Sequence, residues 1–461
     1  MTRRNLFALA AAGAFAAERR NRAPVSHENL VVKLPEAEPV KLPNGVTVMA
    51  IEDDRLPIAY VRFHIEGAGP IYGRPGVAEL TADMLREGAA GRSGKQIVDE
   101  AARLGATLGT SAPSGAEVAT VDGSGLSGHV FEWSELLSSV VVLRPSFPAD
   151  EFNTLRQRRL QEIRLRRIQP IVADDVLQRL VWGSHPAAVA VPSAEVLASL
   201  NPEALAAWHR ERYTPSSALV ACIGRVRSSL FVSRAEKLLG AWKGPEVNTT
   251  LPPPPAPSAR RIVLIDRPGA PQTELAVGGL LFDRRDPDFF PMSVLNSALG
   301  TGPASRLFQI LRSEKAYAYN ASSSFGATRF AGLWKVRAGV RTDATADSIA
   351  IILAQLRRIC DEPIPAAELD EAKTSVVGRF ALTLEQPQQV IAQSYLRHRY
   401  GFSVDYWERY PARLTAVTAS EIQAVARKYL DPDRAHIVAV GDAARIRGAL
   451  DKVGHVESMA A

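Results

Sequence analysis

The sequence predicts an α+β fold made of two similar halves, each a largely antiparallel sheet with helices packed on one face. Three observations lead there. Strand-like runs come in groups with helical stretches between them, not in strict alternation. A proline run, Pro252-Pro253-Pro254-Pro255, lies near the middle of the 461 residues and cannot enter a helix or sheet interior. Around it the chain repeats: Pro148 and Pro365, Pro215 and Pro432, and Gly224 and Gly441 each lie 217 residues apart.

Taken in order, the chain opens on Thr2-Arg3-Arg4-Asn5-Leu6-Phe7 and the Ala-rich run Ala8–Ala17, with small residues at Ala14-Phe15-Ala16. Paired arginines, a short apolar core and small residues are the parts of an export signal, twin-arginine-like or Sec-type. Residues 1–25 are therefore assigned to a signal, and the protein is expected in the periplasm or otherwise exported in a bacterium. No other stretch is long and apolar enough to span a bilayer. The first half is placed at 38–243. Val46–Ile51 and Ile58–Ile65 are expected as paired strands, Val77–Arg86 as a helix and Ala116–Val121 as a further strand. A long helix should follow Pro148. The linker is placed at 244–258 and the second half at 259–450. There Ile262–Ile265 and Thr273–Leu280 are expected to pair, followed by a helix at Met292–Leu299, a strand at Leu333–Val340 and a long helix after Pro365.

Composition excludes some function classes. Hydrophobic content of 46%, charged content of 23% and net charge +6 describe an ordinary globular surface. Cys222 and Cys360 are too few for a disulfide framework or zinc ribbon, and both sit in apolar runs typical of buried thiols. The helix Leu155–Arg167 carries six arginines but no interleaved aromatics, so it is assigned to a solvated or chamber-lining face and not to nucleic acid. Gly123-Ser124-Gly125-Leu126-Ser127-Gly128 matches a dinucleotide fingerprint but lacks the parallel βαβ context, so it is assigned to a glycine turn. Trp208-His209-Arg210 and His398-Arg399-Tyr400 lack a paired nucleophile and are assigned to structure.

One stretch organises the chemistry. In Ala298–Tyr319, the turn Gly300-Thr301-Gly302-Pro303 leads into a short amphipathic helix with Leu307, Ile310 and Leu311 on one face. A strand should start at Tyr317-Ala318-Tyr319. Arg312 and Tyr319 would then lie beside a glycine loop, a donor fork and a phenol able to grip peptide carbonyls. Arg306 and Tyr317 are the neighbouring alternatives.

The stretch Gly76-Val77-Ala78-Glu79-Leu80-Thr81-Ala82-Asp83-Met84-Leu85 resembles the zinc-binding helix of the insulinase/pitrilysin (inverzincin) metallopeptidase family. That family carries His-x-x-Glu-His in this frame, with two zinc-binding imidazoles and a water-polarising Glu. Here Glu79 and Asp83 stand at the ligand positions and Ala82 at the general-base position. The third ligand falls at about Leu160–Glu162, with Glu162 the nearest candidate. Carboxylates suit Ca²⁺ or Mn²⁺, but drift after loss of the site is favoured, and no pair among the eight histidines has i,i+4 spacing. The resemblance covers most of the chain and implies a clamshell half with no catalytic residue and no metal of its own. In the family, an Arg and a Tyr seven residues later contact the substrate backbone, and Arg312 and Tyr319 have that spacing. The implied role is the non-catalytic, substrate-binding subunit of a two-chain zinc metallopeptidase. Zinc would belong to a homologous partner with an intact His-x-x-Glu-His, and peptide would be the substrate. The alternatives are a core-type structural subunit or a stand-alone peptide-binding protein.

Overall fold

A computed structural model describes residues 30–165, 168–188 and 192–459. The predicted export signal at 1–25 lies outside the described residues. Of the unit ending at Val31 only Leu30 and Val31 are described, and Val32–Ala461 form the second unit.

The first half supplies β1 (Val40–Lys41), β2 (Thr47–Glu52), β3 (Ile58–Glu66), the small hairpin β4 (Gly88–Ala89) and β5 (Arg92–Ser93), β6 (Ala106–Ser111), β7 (Val118–Leu126) and β8 (Ala218–Gly224). The second supplies β9 (Ile262–Asp266), β10 (Gln272–Leu281), β11 (Ala318–Ala327), β12 (Gly332–Arg341), β13 (His436–Gly441) and β14 (Val456–Met459). They form two six-stranded sheets in the orders β1-β2-β8-β3-β7-β6 and β11-β12-β10-β13-β9-β14. Parallel pairing is confined to β2 with β8 and β9 with β13 and β14. Mixed, largely antiparallel sheets with helices on them give the α+β class.

The expected pairing of each half's first two strands is corrected. β8 lies between β2 and β3, and β13 between β9 and β10. The last strand of each half's repeat is its most continuously apolar one, and both β8 and β13 are buried at every residue. Such runs belong at a sheet centre covered on both faces.

Six helices matter for the site: α1 (Val77–Met84), α2 (Ala149–Leu165), α3 (Gln169–Trp182), α4 (Phe289–Gly300), α5 (Ala366–Thr383) and α6 (Pro387–Tyr400). On the first sheet, Val48, Ala50, Val61 and Phe63 pack against the half's own helices, including Leu80 and Met84 of α1. The opposite face, with Met49, Ile51, Leu219 and Ile223, is covered by Val390, Ile391 and Tyr395 of α6, a helix of the second half. Reciprocally, Ala173, Val176 and Leu177 of α3 cover Val263, Ile265, Ala276 and Val438 of the second sheet. The halves thus exchange one helix each. Pro170 and Pro387 open these helices in the first turn, where a missing N–H costs nothing. They too lie 217 residues apart.

Residues 244–258 contain no strand or helix. The Thr249 carbonyl accepts from the Tyr72 hydroxyl at 3.3 Å and the Arg329 guanidinium at 3.3 Å, which fastens this stretch to both halves.

Candidate functional site

α1 starts at Gly76, in the left-handed region at φ 86°, where a Cβ would sit 2.7 Å from the Leu197 side chain. The Gly76 amide donates to the Glu79 carboxylate at 3.0 Å, a helix cap made with the side chain at one former ligand position. Burial raises the Glu79 carboxyl to about 7. Ala82 is fully buried among core side chains and has no group to move a proton. Asp83 lies on the outer side of α1, at a cavity of about 470 Å³ that Glu79, Arg159, Glu162, Thr110 and Ser111 also line.

The cation in this cavity is the chain's own. The Arg159 guanidinium, projecting from α2, donates to Asp83 through Nε at 3.0 Å and also through Nη2. Its Nη1 donates to Glu162 at 2.6 Å. Glu162 was the expected third ligand, but the side chain of α2 that meets Asp83 is Arg159. Sequence reasoning missed this by treating the arginines of the helix as a group. The available signal was the i,i+3 spacing of Arg159 and Glu162. Zinc does not fit these residues: both imidazoles are replaced, one carboxylate is spent on a cap, and two hold a guanidinium. Among the described residues, no three His, Cys, Asp or Glu side chains gather into a metal-binding group.

The second candidate centre is built by the glycine turn. A Cβ on Gly300 would collide with the Ser323 backbone nitrogen of β11, so only glycine lets α4 end this close to the strand. Gly302 takes φ 88°. The expected short helix is present from Arg306 to Phe308, with Leu307 and Leu311 fully buried. It then widens: residues 309–314 form a π-type turn in which the Lys315 amide donates to the Ile310 carbonyl at 3.0 Å. That turn carries Arg312. Its guanidinium lies 4.7 Å from the Tyr319 ring centroid and 4.8 Å from that of Phe308.

Tyr319 sits where the β11–β12 register slips, since Ala318 faces Val340 but Asn320 faces the very next residue, Gly339. A bulge of this kind re-aims a side chain, and Tyr319 is 78% exposed. β11 is the edge of its sheet and pairs only with β12. The two alternatives are engaged elsewhere. Arg306 forks onto Glu368 of α5 at 2.6 and 3.0 Å, and the Tyr317 hydroxyl donates to Asp347 at 3.0 Å. Among the described residues no carboxylate pairs with Arg312, so it is Arg312 and Tyr319 that remain free to meet a ligand.

Residues 199–376 match the peptidase M16 inactive domain. Over that span the chain is similar to the M16 peptidases. An uncharacterized zinc protease of Mycobacterium bovis is 28% identical over 304 residues, covering 63% of this chain and 67% of the relative. One of Bacillus subtilis is 22% identical over 324 residues, covering 69% and 77%. The crystal structure of a peptidase M16 inactive domain from Pseudomonas fluorescens superposes with a TM-score of 0.82 at 24% identity, over 88% of this chain and 98% of that one. A protease from Helicobacter pylori superposes at 0.81 with 19% identity, over 89% and 100%. These structural likenesses establish the clamshell-type fold. The chain is thus similar to inactive, peptidase-like M16 proteins, and Arg159 fills the position between its degenerate motif and the following helix.

The remaining sequence motifs resolve into structure. Of the glycines expected in a turn, Gly123 and Gly125 lie in β7, where they leave room for Trp133 and Ala106. A strand formed because β3 pairs with this segment through Leu126. His209 bonds the Val142 carbonyl at 2.8 Å, and Cys222 and Cys360 are free and buried. Among the described residues no helix is long and apolar enough to cross a membrane.

Proposed function

We propose that this chain is the substrate-binding, non-catalytic subunit of a two-chain zinc metallopeptidase, to which it contributes Arg312 and Tyr319. The observation that carries the reading is the exposed Arg312–Tyr319 pair at a bulge on an open sheet edge, with both alternatives committed to internal carboxylates. Zinc and the water-activating Glu belong to a homologous partner with an intact motif. The Tyr319 hydroxyl and the Arg312 N–H groups donate to substrate carbonyls or to the developing oxyanion, each about 1–3 kcal/mol where water is excluded. Peptide lies extended, held by main-chain bonds to a strand edge. Export to the periplasm would place the pair among unfolded exported peptides.

Complementation tests this. The chain alone, its zinc-motif homologue alone and the mixture are assayed on an unstructured peptide. Activity should need the mixture, and Arg312→Ala should abolish most of it. Tyr319→Phe keeps the ring under Arg312 and removes only the hydroxyl, so it should lower kcat less than Tyr319→Ala does. A mixture no faster than the homologue alone, or variants indistinguishable from wild type, would sink the proposal.

A further inference from the structure

The two halves share one fold, so each exchanged helix faces two sheets of similar shape. Apolar contact is non-directional and discriminates poorly between them. The ionic groups around the contacts are sorted far more sharply. On the first sheet, Arg399 of α6 reaches Glu66 at 2.8 Å and Glu117 at 2.9 Å. Arg329, from the turn between β11 and β12, joins Glu117 at 3.4 Å. Glu117 is 3% exposed and Arg399 12%, so these charges have little water to fall back on. On the second sheet, Asp174 of α3 meets Lys335 at 2.7 Å and Arg337 at 3.4 Å. Glu274 is the acid beside them, and it is paired within its own half to Arg337 at 3.3 Å. Among the described residues, each ion pair between the halves runs from a carboxylate of the first to a cation of the second.

We infer that this polarity is a matching code: it assigns α3 to the second sheet and α6 to the first, and it rejects pairing of like halves, within one chain or between two copies. Placed on its own sheet, α3 would carry Trp182 where Arg399 meets Glu66 and Glu117, since the two lie 217 residues apart, and would take Asp174 away from Lys335 and Arg337. α6 on its own sheet would carry Ile391 where Asp174 meets Lys335 and Arg337, and would take Arg399 away from Glu66 and Glu117. Each error leaves desolvated charges without their partners, which penalises the wrong pairing. The partner this surface fits is therefore the opposite half of the chain, independent of any role in peptide binding.

The test uses the full-length chain and hydrogen exchange read peptide by peptide. Asp174→Asn removes the attraction, Asp174→Lys adds repulsion, and Asp174→Lys with Lys335→Glu restores the pair in reversed sense. The expected order of melting temperature and of α3 amide protection is wild type, then the reversed pair, then Asp174→Asn, with Asp174→Lys last. Arg399→Gln and Arg399→Glu should repeat the pattern on α6. Should Asp174→Lys fail to fold, cooperative melting by the reversed pair still supports the code, and a reversed pair that also fails to fold overturns it. The code is equally overturned if Asp174→Lys is no worse than Asp174→Asn, or if the reversed pair is as damaged as the sum of its single changes.

Discussion

Replacing Arg159 by leucine tests whether an internal cation has taken over the work of a metal between α1 and α2. The change removes the guanidinium that joins Asp83 to Glu162 and keeps most of the apolar stem. The side chains involved are 31%, 21% and 35% exposed, between a buried ion pair and a surface one. Breaking a buried pair from one side costs about 3–5 kcal/mol, and an exposed pair contributes ~0–1. Partial exposure places this loss at roughly 2 kcal/mol, or ~2 °C in Tm for a chain of this size. Thermal melts at pH 8 should show that drop. A chelator should leave the wild-type Tm unchanged. A variant that melts with the wild type, or a wild type destabilised by chelation, would refute the reasoning.

Two further outcomes follow from the same two centres. Burial lifts the Glu79 carboxyl from 4.5 to about 7, so the fold favours its neutral form. Its contribution to stability is complete below pH 4.5 and lost as pH rises through 7, and urea melts should show Glu79→Gln gaining on wild type across that window. Gly300→Ala drives a methyl into the Ser323 backbone and strains the Ser323 bond to the Asn296 side chain at 2.8 Å. Overpacking of this kind costs about 1–3 kcal/mol, and thermal melts of the variant should show the loss.

The architecture was legible where local pattern and tertiary environment agree. The 217-residue repeat and the apolar runs of β8 and β13 come through because a buried strand needs apolar residues whatever surrounds it. Strand order was not legible: insertion of β8 between β2 and β3 is decided by a segment more than 150 residues away. α3 and α6 were missed because each presents only a narrow apolar stripe, with glutamines, acids and arginines elsewhere on the helix. The Gln-Pro at 169–170 and 386–387, at the repeat spacing, was the signal that could have found them. At the candidate centre, the seven-residue spacing of Arg312 and Tyr319 was readable and the structure brings the two side chains together, while the π-type turn and the bulge that do so leave no residue pattern of their own. Arg159 was hidden among neighbours of the same type, since only the fold selects which arginine faces Asp83.

The helix exchange also constrains how a peptide could reach Arg312. Separating the halves would uncover Ala173, Val176, Leu177, Val390, Ile391 and Tyr395, on the order of 10 kcal/mol of apolar burial, before any ion pair is counted. At 1.4 kcal/mol per factor of ten, that opening is populated about once in 10⁷ molecules, far too rarely to serve as a working hinge. Tyr319 needs no such opening, because β11 is the outer edge of the second sheet and its ring already faces solvent. In the proposed pair, the movement that admits and releases peptide therefore lies between the two chains, with each exchanged helix keeping this one a rigid jaw.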